Sequence, residues 1–199
     1  MFNNQKFKYF ILTGDPGVGK TTLTKNICNS LLEKGIETSG FYTQEVRKNR
    51  VREGFDVITL DGVKGRLARD LNLLSSQPKF KVGKYGVLIE EFERIALPTL
   101  QIDKDCNSCL VIDEIGKMEF FSGRFKNKIK EIFNNNFNNI VIATIPARKN
   151  DPLIEFIRNH SAAKVWVVTR ENRNALYIDI MKEIFHSIHK DNDNNEVCL

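Results

Sequence analysis

Cysteine is scarce in this chain, four in 199 residues, and that scarcity excludes a disulfide framework. Cys106 and Cys109 form a single C-x-x-C with no second pair to complete a zinc site, and the three histidines (His160, His186 and His189) lie far downstream. Cys109 opens an apolar run, so the thiols read as buried or incidental. Long hydrophobic runs are missing too; none approaches the length of a membrane span. No apolar signal core follows Met1, and residue 2 is Phe rather than an acylated Gly. The last four residues, Glu196-Val197-Cys198-Leu199, put no cysteine where prenylation needs it. The resulting expectations are a cytoplasmic location and no membrane partner. Internal repeats are absent, and low complexity is confined to an Asn-rich stretch at 134–139 and to the tail.

What is present suits one folded unit. A chain of this length, 41% hydrophobic and 28% charged, can bury the core of one domain. A single domain is expected over residues 1–190, with 191–199 a frayed polar tail. No heptad seam is evident, which points to a monomer. Thirty Lys and Arg against 25 Asp and Glu leave a net charge of +5, spread along the chain and densest at Arg47-Lys48-Asn49-Arg50-Val51-Arg52. That cluster reads as a solvated hairpin tip. A polyanion-binding patch, and with it a nucleic-acid partner, is the lesser reading.

The most informative stretch is Gly14-Asp15-Pro16-Gly17-Val18-Gly19-Lys20-Thr21, followed by Thr22. It fits G-x-x-x-x-G-K-[ST], the phosphate-binding P-loop. Its glycines let the backbone turn tightly and aim N–H groups at phosphate oxygens. Lys20 reaches for the β- and γ-phosphates, and the Thr21 hydroxyl for Mg²⁺. The context agrees. The β-prone run Phe7-Lys8-Tyr9-Phe10-Ile11-Leu12 precedes the loop, and Leu23, Ile27 and Leu31 follow it at helical spacing. A helix N-terminus there adds orphan N–H donors for the phosphates.

Beyond the first helix, which Gly35 closes, strand and helix signals alternate. Strands are expected at 40–46 and 54–60, joined by the basic tip as a hairpin. Residues 65–101 are less regular, with a short strand at 83–89 and one or two helical turns at 90–95. The apolar run Leu110-Val111-Ile112 suits a strand buried on both faces. A helix follows at 120–133, then a strand at 140–144, a helix opening at Asp151-Pro152, a strand at 165–169 and a last helix at 173–189. The pattern predicts an α/β fold: a P-loop NTPase with a doubly wound, mostly parallel sheet, helices on both faces and an added β-hairpin. Ligands of such sheets sit at the carboxyl ends of the strands, so functional residues should follow Leu12, Val46, Ile112, Thr144 and Thr169.

Asp113 and Glu114 follow Ile112 directly, and an acidic residue at such a strand end is the Walker B partner of a P-loop. Asp113 is placed to hold Mg²⁺, directly or through water. Glu114 is placed to accept a proton from attacking water, a role that needs a base within hydrogen-bond reach. Glu45, at the end of the neighbouring strand, competes for that role.

Six segments occur in a telling order: residues 14–22, Gly40-Phe41-Tyr42-Thr43-Gln44-Glu45-Val46-Arg47, Gly54-Phe55-Asp56-Val57-Ile58-Thr59-Leu60, Asp113-Glu114-Ile115-Gly116-Lys117-Met118-Glu119-Phe120-Phe121-Ser122, Thr144-Ile145-Pro146 and Glu171-Asn172-Arg173-Asn174. Together they resemble the cancer-related nucleoside-triphosphatase family over residues 7–184. The resemblance implies a slow, Mg²⁺-dependent hydrolase of ATP, GTP, CTP and UTP, releasing diphosphate and phosphate. It implies nucleotide contacts on residues 14–21 and on the strand end that carries Asp113, Glu114, Ile115 and Gly116. The tail beyond Lys190 and the stretch 71–81 lie outside the resemblance.

On this reading Lys20, Asp113 and Glu114 are catalytic, Thr21 and Asp113 hold the metal, and Thr22 and Lys117 join the nucleotide contacts. Lys117 and Arg148 are candidates for an extra cation acting in cis. No guanine-reading [NT]-K-x-D signature follows the last strand, so base selection should be poor. Arg173 is a hypothetical platform for base and ribose; Asn172 is a helix cap in the plainer reading. Two other functions compete. A nucleoside or nucleotide kinase would use Arg66 and Arg69 as a lid. A nucleotide-dependent RNA-binding switch would act through the basic hairpin.

Overall fold

A computed structural model describes residues 7–101, 108–134, 139–148 and 151–195, the side chains of 189–195 excepted. Its strands are β1 (Tyr9–Gly14), β2 (Glu37–Lys48), β3 (Val51–Thr59), β4 (Lys64–Asp70), β5 (Phe80–Val82), β6 (Tyr85–Val87), β7 (Ser108–Ile112), β8 (Ile140–Pro146) and β9 (Ala163–Val167). Its helices are α1 (Lys20–Glu33), α2 (Ile89–Ala96), α3 (Gly123–Asn134), α4 (Pro152–Arg158) and α5 (Arg173–Asn195). All nine strands form one sheet in the order β5-β6-β4-β3-β2-β7-β8-β1-β9. From β2 to β9 every pairing is parallel, and from β2 to β5 every pairing is antiparallel.

Alternation along the buried strands assigns the two faces. Phe10, Leu12, Val111 and Ile142 pack against Leu23, Ile27 and Leu31 of α1 and Ile180 and Ile184 of α5. Tyr9, Ile11, Phe41, Leu110, Ile112 and Val141 pack against α2, α3 and α4 through Phe92, Phe125, Ile129, Phe133 and Ile157. The Tyr9 hydroxyl, taken out of water, donates to the Ile132 carbonyl at 3.1 Å. Cys28 and Cys109 are free, buried thiols; burial pushes Cys28 up to about 12. Cys106 lies outside the described residues.

The expected α/β fold with helices on both faces is present, and its antiparallel part is larger than one hairpin. β4, β5 and β6 continue it, filling the region read as irregular. The segment 71–81 spans a 3₁₀ turn at Leu71–Leu73 and the entry into β5. The last helix continues past residue 189 to Asn195, five residues into the stretch expected to fray. Among the described residues no helix is long and apolar enough to cross a membrane.

β2 does double duty, and that positions the site. Its first half pairs in parallel with β7, ending at Phe41 opposite Ile112. Gly40 makes this approach possible: its φ is +116°, and a Cβ there would lie 1.9 Å from the Val111 carbonyl oxygen. The second half runs on past the carboxyl edge of the parallel strands as an arm of the β2–β3 hairpin. Asn49 and Arg50 form its tip in the left-handed region, as two-residue hairpin turns require.

Candidate active site

The carboxyl ends of β1, β7, β8 and the middle of β2 converge on one cleft. β1 delivers the P-loop, where Asp15, Pro16 and Gly17 are exposed and Val18, Gly19 and Lys20 are half-buried. Gly19 has φ +106°, and a Cβ on it would meet the Arg173 guanidinium at 2.9 Å. Lys20 Nζ donates to the carbonyls of Gly14 at 2.9 Å and Asp15 at 3.1 Å. Burial lowers the Lys20 pKa, while Glu114, Asp113 and Asp15 oppose that shift. The ammonium thus stays inside the loop with carboxylates on its far side.

Asp113 is fully buried at the end of β7. Its Oδ2 accepts from Thr21 Oγ1 at 2.7 Å and from the Thr43 amide at 3.2 Å, with Thr43 Oγ1 3.4 Å away. Its Oδ1 accepts from Thr144 Oγ1 at 2.9 Å. Burial raises its pKa against these hydrogen bonds and the Lys20 charge. The Thr43 N–H of β2 and the Thr144 hydroxyl of β8 therefore lock the carboxylate that joins β7 to α1. Thr21 donates its proton to Asp113, which leaves its oxygen lone pairs available to a cation. Hard oxygen donors of this kind suit Mg²⁺, which binds few protein ligands and completes its shell with water and phosphate. Among the described residues no three His, Cys, Asp or Glu side chains gather as a self-sufficient metal cage.

Glu114 sits at the turn after β7 with φ +72°, a left-handed conformation rare for a side chain of this kind. The Thr144 hydroxyl accepts the Glu114 N–H at 2.7 Å and holds the turn. The Glu114 carboxylate is open to the cleft and accepts from Thr43 Oγ1 at 3.1 Å. The surrounding protein and the Asp113 charge raise its pKa; Thr43 and Lys20 counter them. That is the tuning expected of a general base.

The reversal at Glu114 turns the next side chain inward. Ile115, read as a nucleotide contact, is fully buried in the α2–α3 core, with its N–H on the Thr144 carbonyl at 2.8 Å. Gly116 is buried against Glu119, whose carboxyl oxygen would stand 3.0 Å from a Cβ at 116. Glu119 is itself buried and is held by the N–H groups of Gly116 and of its own residue. Burial first, and then the Glu114 charge, push its pKa well above the carboxylate range. Lys117 and Arg148 are exposed and make no ion pair among the described residues. Glu45 is engaged by Arg47 and Arg52, so it stands apart from the Asp113 cluster.

Arg173 crosses back onto the P-loop, with Nη1 3.4 Å from the Val18 carbonyl oxygen. Thr169 and Asn172 form a reciprocal box. The Thr169 N–H donates to Asn172 Oδ1 at 2.8 Å and the Asn172 N–H to Thr169 Oγ1 at 3.2 Å. This opens α5, so Asn172 works in the helix start. The two lid arginines are pinned instead: Arg66 to Glu91 and Arg69 to the buried Asp56. Thr43 and Glu119 were missed by the sequence reading, and Thr144 was marked only as a strand end. Thr43 lies three residues before the position expected, because the parallel part of β2 stops at Phe41.

Known proteins share this layout. The NTPase family model matches residues 9–181. The cancer-related nucleoside-triphosphatase of Homo sapiens is 43% identical over 182 residues, covering 87% of this chain and 95% of that protein. The nucleoside-triphosphatase THEP1 of Aquifex aeolicus is 41% identical over 182 residues, covering 86% and 96%. A crystal structure of THEP1 from that hyperthermophile superimposes with a TM-score of 0.76 at 40% identity, covering 86% of this chain and 96% of its own. A solution structure of the human cancer-related enzyme gives 0.73 at 41% identity, covering 89% and 97%. With its P-loop, its Asp113–Glu114 pair and these matches across most of its length, the chain belongs to the NTPase family that includes THEP1 and the cancer-related nucleoside-triphosphatases.

Proposed function

We propose that the cleft is a Mg²⁺-dependent, base-tolerant site for hydrolysis of nucleoside 5′-triphosphates to diphosphate and phosphate. Family membership makes the chain a nucleoside-triphosphatase; the metal, the base tolerance and the residue roles are the proposal. The observation that carries it is the three-point lock on Asp113 by Thr21, the Thr43 N–H and Thr144, with Glu114 hung beside it on the Thr43 hydroxyl.

Each residue then has a task. The N–H groups of residues 14–22 and Lys20 receive the phosphate chain, and the Lys20 ammonium leaves its loop carbonyls for phosphate oxygens. The Thr21 oxygen and a water on Asp113 would hold Mg²⁺; the Thr21 hydroxyl and the Thr43 N–H already occupy Oδ2, which disfavours direct ligation by that atom. When bound, the cation would neutralise charge on the phosphate chain. Glu114 takes the proton of the attacking water, its pKa raised by burial and by the Asp113 charge. Arg173 lies over the P-loop as a cation for the nucleotide rather than a reader of base edges, and Lys117 and Arg148 remain cis-cation candidates. The pinning of Arg66 and Arg69 leaves the kinase reading without its expected lid.

Product analysis with ATP, GTP, CTP and UTP, with and without Mg²⁺, tests the proposal. Diphosphate and phosphate should form only with the metal, with kcat/KM values within about 100-fold of each other, about 2.7 kcal/mol. A preference for one base above about 1,000-fold, or full turnover without divalent cation, would contradict it.

A further inference from the structure

Past Thr43 the next residue on the same face of β2 is Glu45, about 7 Å farther along the strand. Its carboxylate is shared by two guanidinium groups, Arg47 and Arg52, with Arg52 Nη2 at 2.6 Å. The two arginines stand opposite each other in the β2–β3 pairing. Arg52 also lies 5.4 Å from the Phe55 ring and faces the Tyr85 hydroxyl, and Phe55 and Tyr85 meet edge to face at 5.5 Å. Its Nε is buried and has no hydrogen-bond partner among the described residues, although a buried guanidinium donor is costly to leave unpaired. The cluster stands on the side of Glu114 away from the P-loop, because β2 and β3 lie beyond β7 in the sheet order.

Two cations on one carboxylate leave one positive charge over and the Arg52 Nε donor unused, and the Glu45 Oε1 that faces Arg47 is itself buried without a hydrogen bond. A phosphate dianion corrects the charge and the donor deficits. It balances two guanidinium groups and offers oxygens that match their forked donors. We propose that Arg47 and Arg52 form a subsite for the phosphate of a second molecule, a phosphomonoester, which takes the place of the Glu45 carboxylate. The half-buried rings of Phe55 and Tyr85 flank the apolar part of that molecule, and Glu114 lies between it and the P-loop. Arg52 is tied to the Phe55–Tyr85 side of the cleft, which separates this role from contact with the γ-phosphate of the P-loop nucleotide.

The probe is phenyl phosphate, titrated by calorimetry into the full chain with its P-loop filled by Mg²⁺ and a non-hydrolysable ATP analogue. Saturable binding at one site is expected. Arg52→Gln should weaken it at least about tenfold, the loss of one charge-assisted hydrogen bond. Arg47→Gln, at a more exposed position, should weaken it too and serves if Arg52→Gln does not fold. Glu45→Gln should tighten binding roughly two- to fivefold, since an exposed ion pair no longer competes. The proposal fails if both arginine variants bind as wild type does, or if filling the P-loop abolishes binding. It also fails if Arg52→Gln loses ATP turnover while its phenyl phosphate Kd is unaltered, which would assign Arg52 to the γ-phosphate. Wild-type ATP hydrolysis, measured alongside, reports on the hydrolytic site independently of this subsite.

Discussion

Thr144→Val should both destabilise the protein and disable the site. The swap is nearly isosteric, so it leaves no cavity. It removes one hydroxyl that donates to Asp113 Oδ1 at 2.9 Å and accepts from the Glu114 N–H at 2.7 Å. Residues 113 and 144 are each 1% exposed, so water cannot substitute without rearrangement. A hydrogen bond to a charged group is worth about 1.5–3 kcal/mol, and a buried donor left unpaired costs about 1–3. Together these give a loss on the order of 3–5 kcal/mol. For a chain of this size each kcal/mol moves Tm by about 2–4 °C, so a drop on the order of 10 °C is expected. Turnover should fall further than stability explains, because the Glu114 N–H that holds the left-handed turn is released. Thermal denaturation and ATP turnover, measured on Thr144→Val and on Thr144→Ser, are the assays. Serine keeps the hydroxyl and should recover most of both losses. Wild-type Tm and turnover in Thr144→Val would refute the lock.

Lys20→Ala removes the ammonium aimed at the phosphate chain; turnover should fall at least about 10²-fold with weakened ATP binding. Wild-type turnover in a folded variant would sink the P-loop assignment. Glu119→Gln tests the buried carboxyl. Its raised pKa means the folded chain keeps a proton that the unfolded chain releases, so stability falls as pH climbs from the ordinary value of 4.5 through the raised folded value. The amide cannot ionise, so denaturant midpoints measured from about pH 5 to 8 should decline less in Glu119→Gln than in wild type. Parallel pH curves would show that the Glu119 pKa is not raised in the folded chain.

The segments that meet at the candidate site were legible because each lies in one contiguous stretch. The P-loop sits between an apolar strand and an amphipathic helix, and Asp113-Glu114 directly follows three apolar residues. What escaped depends on contacts distant in sequence. Thr43 meets Asp113 only because β2 parts from β7 after Phe41 and leaves the sheet edge as a hairpin. β4 was hidden because Lys64-Gly65-Arg66-Leu67-Ala68-Arg69-Asp70 mixes glycine and charge and pairs with β3 through a register shift between Phe55 and Asp56. β5 has three residues, too few for a period to show, whereas β6 falls inside the short strand expected at 83–89. The burial of the Ile115 side chain did not show because it depends on the left-handed turn at Glu114, which sends that side chain into the core. The end of α5 was set too early because polar residues carry no packing signal, yet the helix continues through them.

Glu114 is the group assigned to take the proton from water, and hydrolysis turns on it. Single-turnover hydrolysis of bound ATP, compared in Glu114→Gln and Glu45→Gln, tests that role directly. The amide keeps the shape of the carboxylate and Asp113 remains in its lock, so ATP affinity should change little in Glu114→Gln. The hydrolysis step should slow by ~10²–10⁴-fold, the usual contribution of a general base, whereas Glu45→Gln, whose carboxylate serves Arg47 and Arg52, should keep that step near the wild-type rate. Wild-type hydrolysis in Glu114→Gln, with Glu45→Gln either dead or equally active, would contradict the assignment.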